Sequence, residues 1–286
     1  MAEQAGVPRR RLRNSGYRRL FRDVYVAATE ADSLRLRCEG ALLTVPAGSA
    51  LSHWSVLELT GLYGSGREGV VDLSTQPGTW RPRQQPGLVV HERSHEFAVP
   101  MLRGLPTTGP ARTLVDVAPY LPPSELVVVS DHLLRTMGGL DAMVAGMADE
   151  AGRRYVSLAR AALDRSREGV DSPQETRLRL RIVDYGLPEP EVNLIVLDDA
   201  GEWLGRSELG YRRWRILLQY EGDVHRTNRR RWRQDIARDE AYADNGWRVV
   251  RATAEDVDRP ARFCHRLERL IASRASGEAD LGGSAA

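Results

Sequence analysis

The stretch DSPQETRLRLRIVDYGLPEPEVN, residues 171–193, decides how the second half of the chain is read. Ser172 has the chemistry of an N-cap, since its hydroxyl oxygen can accept an orphan N–H of a first helical turn. Pro173 suits the first helical position, where no N–H is needed. A helix is therefore predicted from Pro173 to Tyr185, closed by Gly186. Working outward, Asn193–Leu197, Glu202–Leu209 and Trp214–Tyr220 read as extended runs joined by the turns DDAG (198–201) and GYRR (210–213). Three such runs with short turns predict an antiparallel meander. Residues 228–244 read as a charged helix stopped by Asn245-Gly246, GWRVVRA (246–252) as a strand, and TAED (253–256) as the capped start of a closing helix. The order is α, β, β, β, α, β, α, an α/β (α+β) arrangement.

Residue types with chemistry fall at telling places in that order. Glu208 lies near the end of the second run, and Gln219 and Glu221 stand at i and i+2 on the third. Side chains two apart on a strand share a face, so Ile216, Leu218 and Tyr220 take the other. With Glu175 on the preceding helix, these oxygen donors are expected to hold Mg²⁺ or Mn²⁺, hard cations that take carboxylate oxygen and keep several waters. Such an ion activates water and neutralises charge on a scissile phosphate. The alternatives are a degenerate site kept for binding and mere surface carboxylates. The helix at 228–244 carries Arg229, Arg230, Arg231, Arg233 and Arg238 around Trp232, suited to a phosphate backbone. Equally, Asp235, Asp239 and Glu240 interrupt that charge. A solvated face with Trp232 and Ile236 packed inward, and Asp235 and Arg238 as an intrahelical pair, is the competing reading.

The segments QETRLRLRIVDYGLPEPEVN (174–193), SELGYRRWRILLQYEGDVHR (207–226) and WRQDIARDEAYADNGWRVVRATAEDV (232–257) together resemble the Vsr-like branch of the PD-(D/E)XK, restriction-endonuclease-like superfamily. The resemblance covers about 100 residues and implies an αβββαβ module that acts on DNA with a divalent cation, RNA being left open. It maps Glu175 to the helix glutamate, Glu208 to the first metal-binding acid, and Gln219 with Glu221 to the pair on the third strand. His225 corresponds to the motif histidine, a general base or phosphate ligand, Asp235 and Arg238 to the helix pair, and Arg251 to the strand arginine. Two positions depart from the family pattern: Glu208 is one methylene longer than the usual aspartate, and Gln219 puts a neutral amide where a carboxylate is usual. The implied catalytic group is thus Glu175, Glu208, Gln219, Glu221 and His225, with Glu208, Gln219 and Glu221 as metal ligands.

Toward the N-terminus, PRRRLRNSGYRRLFRDVYV (8–26) is the most basic stretch. Arg9, Arg10, Arg11, Arg13, Arg18, Arg19 and Arg22 precede the first following acid, Asp23, with Tyr17 and Phe21 interleaved. It suggests a short helix or turn followed by a wing-like strand that lays arginines along phosphates, or else a solvated basic edge. Apolar spacing predicts helices over 31–45, 52–62, 111–117, 124–137 and 140–147, and short strands over 69–73 and 87–91. RLFRDVYV (19–26), ALSHWSVLELTGL (50–62) and GLPTTGPARTLVDVA (104–118) resemble the AbiEi-type antitoxin or regulator proteins, which implies a winged-helix-like, DNA-binding first part. His53 and Arg112 are expected to be satisfied polar groups in its interior. Tyr155, Leu158, Ala159 and Ala162 fall at i, i+3, i+4 and i+7, so an amphipathic helix is expected across 149–169.

The expected organisation is residues 1–150 as a first domain, 151–170 as a helical linker, 171–273 as the endonuclease-like domain and 274–286 as a disordered tail. A length of 286 residues suits two domains. No apolar run approaches the roughly 20 residues of a membrane span, and arginines stand where a secretory signal needs its apolar region, so a cytoplasmic protein is expected. Cys38 and Cys264, far apart, offer neither a disulfide framework nor a zinc site. Net charge is only +2, so a nucleic-acid surface has to come from local clustering. All 41 basic residues are arginine, which excludes any mechanism needing a catalytic lysine. The functional expectation is a metal-dependent DNA endonuclease. A catalytically degenerate DNA-binding antitoxin or regulator is the alternative, with self-association left open in either case.

Overall fold

The first unit begins with a hairpin of two strands, β1 (Tyr17–Phe21) and β2 (Val24–Ala27), turned at Asp23, whose φ is 61°. The computed structural model describes residues 8, 11–62, 66, 69–78, 85–221 and 229–282; for residues 13, 229–236 and 277–282 it describes the backbone alone. The fold is mixed α/β with several small sheets, and the chain divides into two compact units. The first holds residues 1–129 and 136–164, the second residues 130–135 and 165–286.

In the first unit, α1 (Leu34–Leu42), capped by Ser33, and α2 (His53–Thr60), ended by Gly61 in the left-handed conformation, pack with a three-stranded sheet. That sheet runs β3 (Ala50–Leu51), β4 (Val71–Thr75), β5 (Leu88–Glu92), with β4 and β5 parallel. Phe21, Cys38, Val56, Val71 and Leu73 form its core. A two-stranded ribbon, β6 (Met101–Leu102) and β7 (Leu105–Pro106), leads into α3 (Pro110–Val117), and α4 (Pro123–Thr136), α5 (Gly139–Asp149) and α6 (Val156–Asp164) follow. Ahead of the hairpin the described residues hold one 3-10 turn, Arg11–Arg13, in keeping with the short helix or turn expected before a strand. The amphipathic run expected across 149–169 is shorter. Gly152 (φ 75°) and Tyr155 (φ 67°) are left-handed, which breaks the helix, and only Val156–Asp164 is helical. Ala159 and Ala162 are buried and α6 packs on α3, so this segment belongs to the first unit instead of forming a linker.

The second unit is built on a sheet of order β11-β10-β9-β8. Ser172 caps α7 (Pro173–Asp184) as its sequence predicts, its hydroxyl accepting from the Glu175 N–H at 3.3 Å. Strands β8 (Glu191–Leu197), β9 (Trp203–Tyr211) and β10 (Ile216–Tyr220) form the antiparallel meander. After α8 (Arg229–Asp244), β11 (Arg248–Ala252) returns parallel to β10, and α9 (Ala254–Asp258) opens with the capping box of Thr253 and Asp256. The last helix, α10 (Ala261–Gly282), continues past residue 274, where the sequence was expected to lose order. Its extension, RASGEAD, needs no buried face to be helical locally, because alanine, arginine and glutamate are good helix formers.

Apolar residues fill both faces of this sheet. Leu178, Ile182, Leu209, Ile216, Leu218, Val250, Phe263 and Leu267 form one cluster, while Leu194, Val196, Leu217, Tyr242 and Trp247 form the other. Besides the register shift between Val196 and Leu197, the alternation of faces changes near the other end of the hairpin. Val192 and Leu209 pair and pack with the first cluster, yet Leu194, only two residues on, lies in the second. The break falls at Asn193, with φ 50°, and at Glu208 opposite, both passed over by the ladder.

Candidate functional site

Glu208 therefore stands at a kink in β9, three residues before the strand ends, further inside than the sequence indicates. The β9–β10 ladder stops at Leu209 paired with Leu218. Beyond it the strands part, and the Glu208 carboxylate takes over from the backbone, accepting the Tyr220 N–H at 2.7 Å.

Glu175 arrives from the other direction, in the first turn of α7, and is buried. Its Oε2 accepts the Asp171 N–H at 3.1 Å, a near relative of the capping-box bond, which explains a glutamate at this helix position. Capping does not require burial, and burial here has a cost. It pushes the carboxyl up to about 7; the Asp171 N–H and Ser172 oppose the rise, while the negative charges of Glu208 and Asp171 add to it. Asp171 is in turn ion-paired with Arg206 of β9 at 2.9 Å. The charge of Glu208, at the fork of the sheet, thus adds to what burial does to Glu175.

Gln219 and Glu221 follow on β10 and just after it. Leu217 lies in the cluster on one sheet face, and Ile216, Leu218 and Tyr220 belong to the cluster on the other. Gln219 is half-buried, and Glu221, exposed, is ion-paired through Oε1 to Arg251 Nε at 2.6 Å. Gln219 and Arg251 are register partners on β10 and β11, and the Arg251 NH2 also meets the Asp239 carboxylate of α8. One guanidinium thus spans a strand end and a helix. His225 lies outside the described residues, as do the side chains of Arg229, Arg230 and Arg231, while Arg238 is exposed.

The donors Glu175, Glu208, Gln219 and Glu221 are all oxygen, which fits Mg²⁺ or Mn²⁺ and not a thiolate-seeking metal. A buried glutamate under the charge of a second carboxylate is an arrangement that a cation relieves. Among the described residues, no three His, Cys, Asp or Glu side chains gather closely enough to cage an ion by themselves. Mg²⁺ does not need such a cage, since it is commonly held by one or two carboxylates, waters and substrate phosphates.

In the first unit, the basic stretch is only partly free to meet a ligand. Arg11 and Arg19 are exposed, the latter donating to the Phe21 carbonyl, and Arg18 reaches the Glu30 carbonyl and, at 3.7 Å, Asp32. Arg9, Arg10 and the Arg13 side chain lie outside the described residues.

The same unit contains a buried polar network of which the sequence exposed two members, His53 and Arg112. His53 is a buried group with partners, whereas Arg112, held in ion pairs, keeps a buried Nε that makes no hydrogen bond. The His53 ring stacks on His91 at 3.6 Å, and its Nδ1 lies 3.0 Å from the Ser52 hydroxyl and 3.6 Å from Asp116. His91 Nε2 lies 3.0 Å from Asp72. Asp116 also meets Arg93 at 2.5 Å and Arg112 at 3.0 Å, and Arg112 continues to Glu150 at 2.6 Å. Asp116 could be suspected from its i, i+4 spacing with Arg112. Asp72, His91 and Arg93 gave no local signal, because strands distant in sequence bring them together.

Among the described residues, no helix is long and apolar enough to cross a membrane. No protein-family model matches the chain. No solved structure matches it either. Similarity is found to two curated proteins of Mycobacterium tuberculosis, Uncharacterized protein Rv2248 of strain H37Rv and Uncharacterized protein MT2308 of strain CDC 1551 / Oshkosh. Each is 29% identical over 263 residues, an alignment covering 91% of this chain and 94% of the relative, so the likeness extends through both units.

Proposed function

We propose that the protein binds DNA and hydrolyses its phosphodiester bonds with a divalent cation held at the fork of the second sheet. The observation that carries this reading is Glu175, buried in the first turn of α7 with its carboxyl pushed up to about 7 by burial and by the charge of Glu208, which stands where β9 and β10 part. Strongly perturbed carboxyl groups in pairs are concentrated at sites that bind cations or move protons. The mixed sheet supports it too, since an antiparallel meander extended by a parallel strand is the αβββαβ arrangement that the sequence resemblance implies. Bound Mg²⁺ or Mn²⁺ would supply an activated water and neutralise phosphate charge. Glu208, Gln219 and Glu221 would hold it, Glu175 would stand behind them, and the exposed arginines Arg238 and Arg251 would orient the phosphate backbone.

A second reading, a DNA-binding regulator of antitoxin type without catalysis, is favoured by one observation. Glu221 is already neutralised by Arg251, and its neighbour Gln219 carries no charge. Incubating purified protein with Mg²⁺ or Mn²⁺ and DNA of several structures separates the two. The hydrolase reading expects cleavage that Glu208→Ala and Glu221→Ala abolish while gel-shift binding at low salt persists. Binding without cleavage under all conditions leaves the regulator, and no binding at low salt removes both.

A further inference from the structure

We propose that Arg251 is a positioning residue that couples nucleic-acid binding to cation capture: it holds Glu221 in the free protein and releases it when a DNA phosphate takes the guanidinium. This rests on the cation site proposed above. The Arg251 Nε is 2.6 Å from Glu221 Oε1, and the same head group meets Asp239. All three side chains reach solvent, with exposures of 40%, 54% and 28% for Arg251, Glu221 and Asp239. Ion pairs this exposed to water are weak, so little holds Arg251 in place.

A phosphodiester offers the same planar head group two oxygens at once, in a setting that a bound duplex partly desolvates. Once Arg251 turns to phosphate, the Glu221 carboxylate loses its counter-charge, two residues from Gln219 on the strand that borders Glu208. A divalent cation then meets one more available carboxylate. Linkage makes the effect reciprocal, since a cation that engages Glu221 frees Arg251 for the backbone. The Arg251 carbonyl accepts from Arg266 at 3.2 Å and the Glu221 N–H donates to the Ala252 carbonyl at 2.8 Å, so the backbones carrying both residues stay fixed while the side chains exchange partners.

The test is calorimetric titration of Mn²⁺ into the full-length protein, alone and saturated with a phosphorothioate DNA duplex that resists hydrolysis, with Mn²⁺ uptake by the duplex measured separately. For the wild type, the duplex is expected to tighten Mn²⁺ binding by about fivefold or more, the lower end of ordinary coupling between sites. Arg251→Met is expected to bind Mn²⁺ more tightly than wild type without DNA and to show a smaller enhancement with it. An unchanged enhancement in Arg251→Met, or no gain in its DNA-free affinity, overturns the coupling. Should circular dichroism show that variant unfolded, Arg251→Lys carries the test. Its single ammonium cannot span both carboxylates, so values between the other two are expected and wild-type values overturn the idea. Mn²⁺ binding to none of the proteins, with or without DNA, removes the cation site itself, whereas binding with equal enhancement in all of them removes only the role of Arg251.

Discussion

The two units bury their carboxylates in opposite ways. Asp116 in the first unit is buried, and desolvation pushes its carboxyl up, but Arg93, Arg112 and the imidazole of His53 stand around it. That network closes on itself and ties α3 to the strand end carrying Arg93. Glu175 in the second unit is buried just as deeply beside Glu208, a like charge, and among the described residues no ion pair is formed by its carboxyl. A buried anion with its cations supplied by the fold is explained by folding. A buried acid set against another acid works against folding, and natural chains keep such arrangements mainly where a ligand completes them.

The sharpest way to break this contrast is Asp116→Ala. It strands two guanidinium groups in the first unit, and a loss of about 3 to 5 kcal/mol is expected in urea or thermal unfolding; a loss below about 1 kcal/mol would show the network to be dispensable. Glu175→Gln should move the other way. The folded carboxyl keeps its proton up to about pH 7, whereas an unfolded glutamate releases it near its ordinary value of 4.5. Stability from this group is therefore full below the unfolded value and lost as pH rises through about 7. At pH 8 the glutamine variant is expected to be more stable by up to about 3 kcal/mol, with little difference at pH 4. Equal urea midpoints at both pH values would remove the claim that Glu175 is a strained acid.

Smaller effects set the scale. A Cβ at Gly205 would overlap the hydroxyl of buried Tyr242, so Gly205→Ala should cost about 1 to 3 kcal/mol as overpacking without any change of charge. Tyr242→Phe in the same chain should recover part of that, because it removes the overlapping atom, and a double-mutant cycle with no coupling would contradict the packing. Smallest of all, Arg251→Met should change thermal stability by less than about 1 kcal/mol, since its ion pairs are solvent-facing. A large loss would place Arg251 with Asp116 as a structural strut.

Elements announced by turn and cap chemistry were legible from the sequence: α7 from Ser172 and Pro173, α9 from its capping box, and the meander from DDAG and GYRR, though Gly210 and Tyr211 prolong β9 and the second turn falls at 212–215. Local signals of this kind survive because the groups involved are neighbours in sequence. The helix expected through 149–169 was misjudged because apolar spacing says nothing about the left-handed residues Gly152 and Tyr155 that interrupt it. At the candidate site, the alternation of Leu217 against Ile216, Leu218 and Tyr220 followed from strand periodicity. The kink at Glu208 did not, nor did the grip of Arg251 on Glu221 and Asp239. The first depends on a left-handed Asn193 in the partner strand, the second on a helix and two strand ends meeting in space.

The paired break at Asn193 and Glu208 also constrains how this hairpin assembles. In an ordinary hairpin, sliding one strand by two residues keeps every side chain on its proper side, so such slips are cheap. Here the face that meets each apolar cluster changes midway along both strands, and a two-residue slide would set the two breaks out of line and turn the residues between them to the wrong cluster. The irregularity therefore works as an alignment key: only one pairing of β8 with β9 hides oily groups along its whole length. Shortening or lengthening the DDAG loop should accordingly be tolerated, while a single-residue deletion on either side of the key should not.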